Sequence, residues 1–90
     1  MQTSIFLTAA SLEKIIRKFT PPECARVAIQ HDTHLIDELG IDSARMIDIV
    51  LDVEDTFNIT VGDNEIHQTK TFGDLLRIVS SKIPAKGANA

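Results

Sequence analysis

Ninety residues, 43% of them apolar and 24% charged, suit one soluble globular domain with a thin core and no long catalytic cleft. No apolar run approaches the roughly 20 residues of a membrane-spanning helix, and the one cysteine, Cys24, excludes an internal disulfide and suits a cytoplasmic protein. The formal net charge of −4 hides a segregation: from His31 to Glu65 ten acids stand against one base, Arg45. That excludes nucleic acid as a partner and points to proteins with basic patches.

The N-terminal MQTSIFLTAASLEK has an apolar patch with no positive charge ahead of it, so no cleaved signal peptide is expected. Leu12, Ile15, Ile16 and Phe19 recur at helical spacing, with Glu13, Lys14, Arg17 and Lys18 opposite. A first helix therefore starts near Thr3 or Ser4 and stops at Thr20-Pro21-Pro22, where proline removes the amide and crowds the preceding turn. A connection of some twenty residues follows, and Val27, Ile29, Leu35, Ile36 and Leu39 are expected to pin it to the core. Gly40 is a natural stop.

Ser43 to Phe57 reads as the second helix, with Met46, Ile47, Val50, Val53 and Phe57 on one face and Asp48, Asp52 and Asp55 outward. Asn58 suits its end. Ile59 to Asn64 reads as an extended loop in which Asp63 caps a brief helical turn through His67. Thr71-x-x-Asp74 has the spacing of a capping box, and Phe72, Leu75, Leu76, Val79 and Ile83 form the stripe of the last helix, stopped by Pro84. No run alternates as a strand would. The expectation is an all-α domain over 1–84, a small four-helix bundle with three main helices, one short helix and a long first loop, followed by a flexible tail over 85–90.

Serine, histidine and aspartate are all present, but nothing in the sequence aims His31, His34 or His67 at Ser43 as a triad or metal site would require, and surface histidines are the plainer reading. Asp52, Glu54 and Asp55 lack the alternating ligand spacing of a calcium loop. No metal site and no catalytic residue is expected. Asp42 or Ser43 can cap the second helix, and a helix N-terminus also favours an added anion such as a phosphodiester.

The segment LIDELGIDSARMIDIVLDVEDTF, Leu35 to Phe57, resembles the prosthetic-group region of acyl carrier proteins. That pattern is an acidic pair, Leu-Gly, a variable residue, Asp-Ser, then an amphipathic helix ending in acids and Phe. Asp37, Glu38, Leu39, Gly40, Asp42, Ser43, Asp48, Glu54, Asp55 and Phe57 match it without a gap. The resemblance implies a carrier that catalyses nothing itself. A phosphopantetheinyl transferase would attach 4′-phosphopantetheine from coenzyme A to Ser43, flanked by Asp42, and the arm's thiol would hold acyl intermediates as thioesters in fatty-acid, specialised lipid or polyketide biosynthesis. It also implies a monomer that docks on basic patches of loading, synthase and acyltransferase enzymes through Asp48, Glu54 and Asp55, with Met46 and Leu51 as apolar contacts. Ile47, Val53, Val61 and Ile66 would line an acyl groove.

Several positions depart from the pattern. Ala44 replaces the usual leucine after the serine and is followed by Arg45; Gly62 stands where proline is frequent, and Thr69 where an apolar residue is common. With the mild net charge, these suggest a specialised carrier. The alternatives are a peptidyl carrier, against which Gly40-Ile41 in place of Gly-Gly speaks, an unmodified helical interaction module, and a small hydrolase using Ser43.

Overall fold

The computed structural model describes residues 3–83, with side chains from residue 7 onward; Pro84 and the expected tail over 85–90 lie outside the described residues. Four α-helices follow in order, α1 Thr3–Phe19, α2 Ser43–Phe57, α3 Asp63–Gln68 and α4 Phe72–Lys82, with a 3-10 turn at Pro22–Cys24. Among the described residues the one β pairing is an isolated bridge between His34 and Thr71. The fold is the expected all-α bundle with a long first loop.

The helices form where the apolar spacing put them. Leu12, Ile15 and Ile16 of α1 meet Met46, Ile49 and Val53 of α2 and Phe72, Leu75, Leu76 and Val79 of α4 in one core. Each such side chain contributes about 1.5–3 kcal/mol on burial. The short α3 buries no residue fully. It is tied to α4 by the Lys82 to Glu65 ion pair, 3.1 Å, and its own start is capped by Glu65 Oε1, which accepts from the Gly62 amide at 2.9 Å.

The long loop is a structural element in its own right, supplying Leu35, Leu39 and Ile41 to the core. Arg17 anchors its first half by donating to the carbonyls of Ala25 and Val27, at 3.0 and 2.6 Å. Its second half closes as a helical C-terminus does: the Ile41 amide donates to the Leu35 carbonyl and the Gly40 amide to that of Ile36. Gly40 sits at φ 69°, where a side chain is strained, and a Cβ there would approach Pro21 Cγ to 3.1 Å. The loop then docks on the start of α4, through Leu35 to Lys70, Phe72 to Thr33 and Gly73 to His31 backbone bonds of 3.0, 2.9 and 2.8 Å.

Four expectations are corrected. Ile36 does not pin the loop, because the Leu35–Ile41 closure turns it outward, leaving it 51% exposed. Ile47 is 48% exposed, and Ile49 takes the buried place instead. Asp52 does not face solvent alone but pairs with Lys18 across the α1–α2 contact. Asp63 is the first residue of α3 rather than its cap; Gly62 holds the N-cap position, and the helix runs to Gln68. Asn58 ends α2 as expected, in the left-handed conformation at φ 57°.

Candidate functional site

The N-terminus of α2 divides two tasks between neighbouring residues. Asp42 is the N-cap: its Oδ1 accepts from the Arg45 amide at 2.9 Å, and its carbonyl takes the Met46 amide. Ser43, the first helical residue, is exposed, and its hydroxyl makes no hydrogen bond among the described residues. Capping leaves the Ser43 and Ala44 amides facing outward at the positive end of the helix dipole. An anion attached to Ser43 is thus placed where two free amides and the helix field favour it.

Below this end, Ala44, Asp48, Leu51 and Asp55 recur at i, i+4, i+7 and i+11 and are all exposed, Leu51 at 56%. They make one continuous outer stripe. The other two acids of the helix flank it and are committed to the fold. Asp52 takes Lys18 on one side, and Glu54 Oε2 on the other accepts from the Val61 amide at 2.8 Å. The hydrogen bond from Lys18 holds the Asp52 carboxyl below its ordinary value of 3.8. Met46 points inward, only 5% exposed, because it lies on the core face.

A cavity of about 440 Å³ opens beside Ser43. Met46 and Ile47 line it from α2, Ile36 from the loop and Ile66 from α3, while His34, Asp37, Asp63, His67 and Lys70 bring polar groups to the same space. Of the four residues expected to line an acyl groove, Ile47 and Ile66 are there. Val53 and Val61 are not, being 0% and 6% exposed within the protein interior. His34 and His67 are surface histidines, as read, yet the fold brings both to the cavity that Ser43 borders. Nothing local in the sequence signals that meeting, since it depends on the long-range bridge from His34 to Thr71. No hydrogen bond joins Ser43 to either histidine, although His34 Nδ1 lies 3.9 Å from Asp37 Oδ2. Among the described residues no cluster is placed to hold a metal ion, and no helix is long and apolar enough to cross a membrane.

A helical bundle presenting an unbonded serine at a capped helix start, above an acid-striped helix, is a scaffold for covalent attachment. The family described as "Phosphopantetheine attachment site" matches residues 10–79. The chain is 32% identical to the acyl carrier protein of Rhodococcus erythropolis over 81 residues, covering 90% of this chain and 86% of that one. It is 33% identical to the acyl carrier protein of Renibacterium salmoninarum over 72 residues, covering 80% and 86%, and 33% identical to that of Thermotoga maritima over 55 residues, covering 61% and 68%. The chain belongs to the phosphopantetheine-binding acyl carrier family. A covalent 4′-phosphopantetheine and an acyl-carrier role come with that membership. The site fits the group: a phosphodiester needs an accessible hydroxyl and a setting that tolerates its charge, and the α2 N-terminus has both.

Proposed function

We propose that Ser43 Oγ is the attachment point, esterified by a phosphopantetheinyl transferase with coenzyme A as donor. The observation that carries this reading is the free, exposed hydroxyl at the first position of α2, relieved of capping by Asp42. When bound, the arm supplies a thiol that holds an acyl group as a thioester. The chain's own residues do the rest: Asp42 fixes the helix start, and the Ser43 and Ala44 amides favour the phosphodiester charge. The chain itself catalyses no step, a reading supported by its membership of a carrier family.

The outer stripe of α2 serves as the docking face in this proposal, with Asp48 and Asp55 as charged contacts and Leu51 and the half-exposed Ile47 as apolar ones. Glu54 contributes less than its charge suggests because its carboxylate already holds the Val61 amide. Met46, being buried, offers a partner little surface. The partners are the transferase and the loading, synthase and acyltransferase enzymes, met in the cytoplasm by a monomeric carrier through steered, salt-sensitive encounters.

Intact mass after incubation with coenzyme A and a broad-specificity transferase tests the attachment. The expected result is a gain of one phosphopantetheine in the wild type and none in Ser43→Ala; a gain that survives Ser43→Ala would place the site elsewhere. Asp48→Lys is expected to slow the transferase and flatten its salt dependence, and unchanged kinetics would remove that residue from the docking face.

A further inference from the structure

The third residue of α3 is Glu65 and that of α4 is Asp74, and each carboxylate accepts from the backbone amide of its N-cap, Gly62 and Thr71. An acid suits that position, because free amides and the helix dipole make the first turn positive. The third residue of α2 is Arg45 instead, and the first turn of α2 holds no acid. Its side chain is exposed and makes no ion pair or hydrogen bond among the described residues; only its amide is engaged, by Asp42. The cation faces the like-signed end of the dipole, and no contact within the fold compensates for it.

Arg45 is also the one base among the ten acids between His31 and Glu65, and it stands two residues from Ser43. At i, i+7 it shares a flank of α2 with Asp52, the acid that Lys18 of α1 already neutralises. The face proposed for docking is therefore bipolar. Asp48 and Asp55 are its exposed anions further along α2, and a cation borders its Ser43 end on the α1 side.

We propose that Arg45 is a specificity-determining residue: it favours partner enzymes that set a carboxylate beside the active-site mouth and slows those whose docking groove is basic from end to end. The inference rests on the attachment reading above and adds the kind of partner to it. A wholly basic groove attracts Asp48 and Asp55 but meets Arg45 cation against cation, at the end where Ser43 has to enter. A groove with a carboxylate at that end attracts all three side chains, and the opposed charges also fix the direction in which α2 lies along it.

The test follows mass gain over time with coenzyme A and a broad-specificity transferase whose docking groove is basic. At low salt Arg45→Gln is expected to raise kcat/KM about threefold and Arg45→Glu about tenfold, the size of one and two units of exposed charge. The gain should lie in KM and fade at high salt, and Arg45→Lys should match wild type. Each Lys or Arg of the groove is then reversed to Glu in turn, and at least one reversal is expected to make wild type a better substrate than Arg45→Glu. The urea midpoint of Arg45→Glu should equal or exceed that of wild type; a lower one would make Arg45 a residue of the fold and overturn the proposal. An unchanged or lower kcat/KM in Arg45→Glu, a gain that high salt leaves intact, an Arg45→Lys variant that departs from wild type, or a groove in which no reversal inverts the order each overturns it too, while Ser43 still loads and the attachment reading stands. No mass gain in wild type or any variant overturns the attachment reading and this inference with it.

Discussion

Two helices of this protein start with a hydroxyl and a carboxylate close in sequence, and they use them in opposite ways. At α4 the hydroxyl is the cap: Thr71 Oγ1 accepts from the Asp74 amide at 3.1 Å, and Asp74 Oδ2 reaches back to the amides of Lys70 and Thr71 at 3.0 and 3.1 Å. At α2 the carboxylate is the cap, and the hydroxyl one position later is spare. A single step in register separates a locked helix start from one with a free nucleophilic oxygen. The surroundings reinforce the contrast, since the loop clamps the α4 start at His31 and Thr33 while Ser43 and Ala44 stand exposed.

The largest effect is expected where that clamp is tightest. A Cβ on Gly73 would lie 2.7 Å from His31 Nδ1 and 2.8 Å from the His31 carbonyl oxygen, which is backbone and cannot swing away. Gly73→Ala should therefore lower the urea-unfolding free energy by about 1–3 kcal/mol, the usual cost of overpacking. A loss under half a kcal/mol would show that the loop yields at that point. The two caps come next. Thr71→Ala and Asp42→Ala should each cost about 1 kcal/mol, equal in kind although one removes a hydroxyl and the other a carboxylate. If Asp42→Ala were neutral in the same urea titration, Ser43 would have to be able to take over the cap.

Acid should weaken the α4 start by a smaller margin. The Lys70 and Thr71 amides hold the Asp74 carboxyl below its ordinary value of 3.8. A carboxylate depressed in the folded state stabilises the fold above its unfolded value, and that contribution is lost as the pH falls through the folded one. Stability is thus expected to fall below about pH 4, and Asp74→Asn should flatten that fall in urea midpoints taken between neutral pH and pH 3. Asp52, held down by Lys18, adds to the same slope and remains in the variant. An identical slope in wild type and Asp74→Asn would mean that Asp74 binds its proton alike in both states.

Much of this was readable from spacing. Leu12, Ile15 and Ile16, the Thr71-x-x-Asp74 box and Asn58 carry their roles in short-range pattern, because helical periodicity and capping are decided within one or two turns. Asp-Ser also located the candidate site, though not which residue caps. Three features needed the third dimension. Asp52 and Glu54 look alike in sequence but face different neighbours two residues apart, and each neighbour claims its acid. Ile36 and Ile47 look like core residues, yet the loop closure and the α2 helical phase leave both half outside. The convergence of His34 and His67 on the cavity depends on chain segments joined by one bridge and one short helix, for which no local signal exists.

The smallest expected change in stability is also the one most informative about function. The Ser43 side chain is exposed, caps nothing and makes no hydrogen bond among the described residues, so Ser43→Ala removes no contact that holds the fold together. Alanine is the better helix former by a few tenths of a kcal/mol. The unfolding free energy of the variant should therefore lie within about 0.5 kcal/mol of wild type, the range of surface substitutions that break no contact. A serine kept for its helix would behave as Thr71 does and lose stability on replacement; one kept for its oxygen would lose only the arm. Measured together with Asp42→Ala, the variant separates the two roles at adjacent positions, and a loss near 1 kcal/mol in Ser43→Ala would assign Ser43 a share of the capping that the Asp42 bond to Arg45 now accounts for.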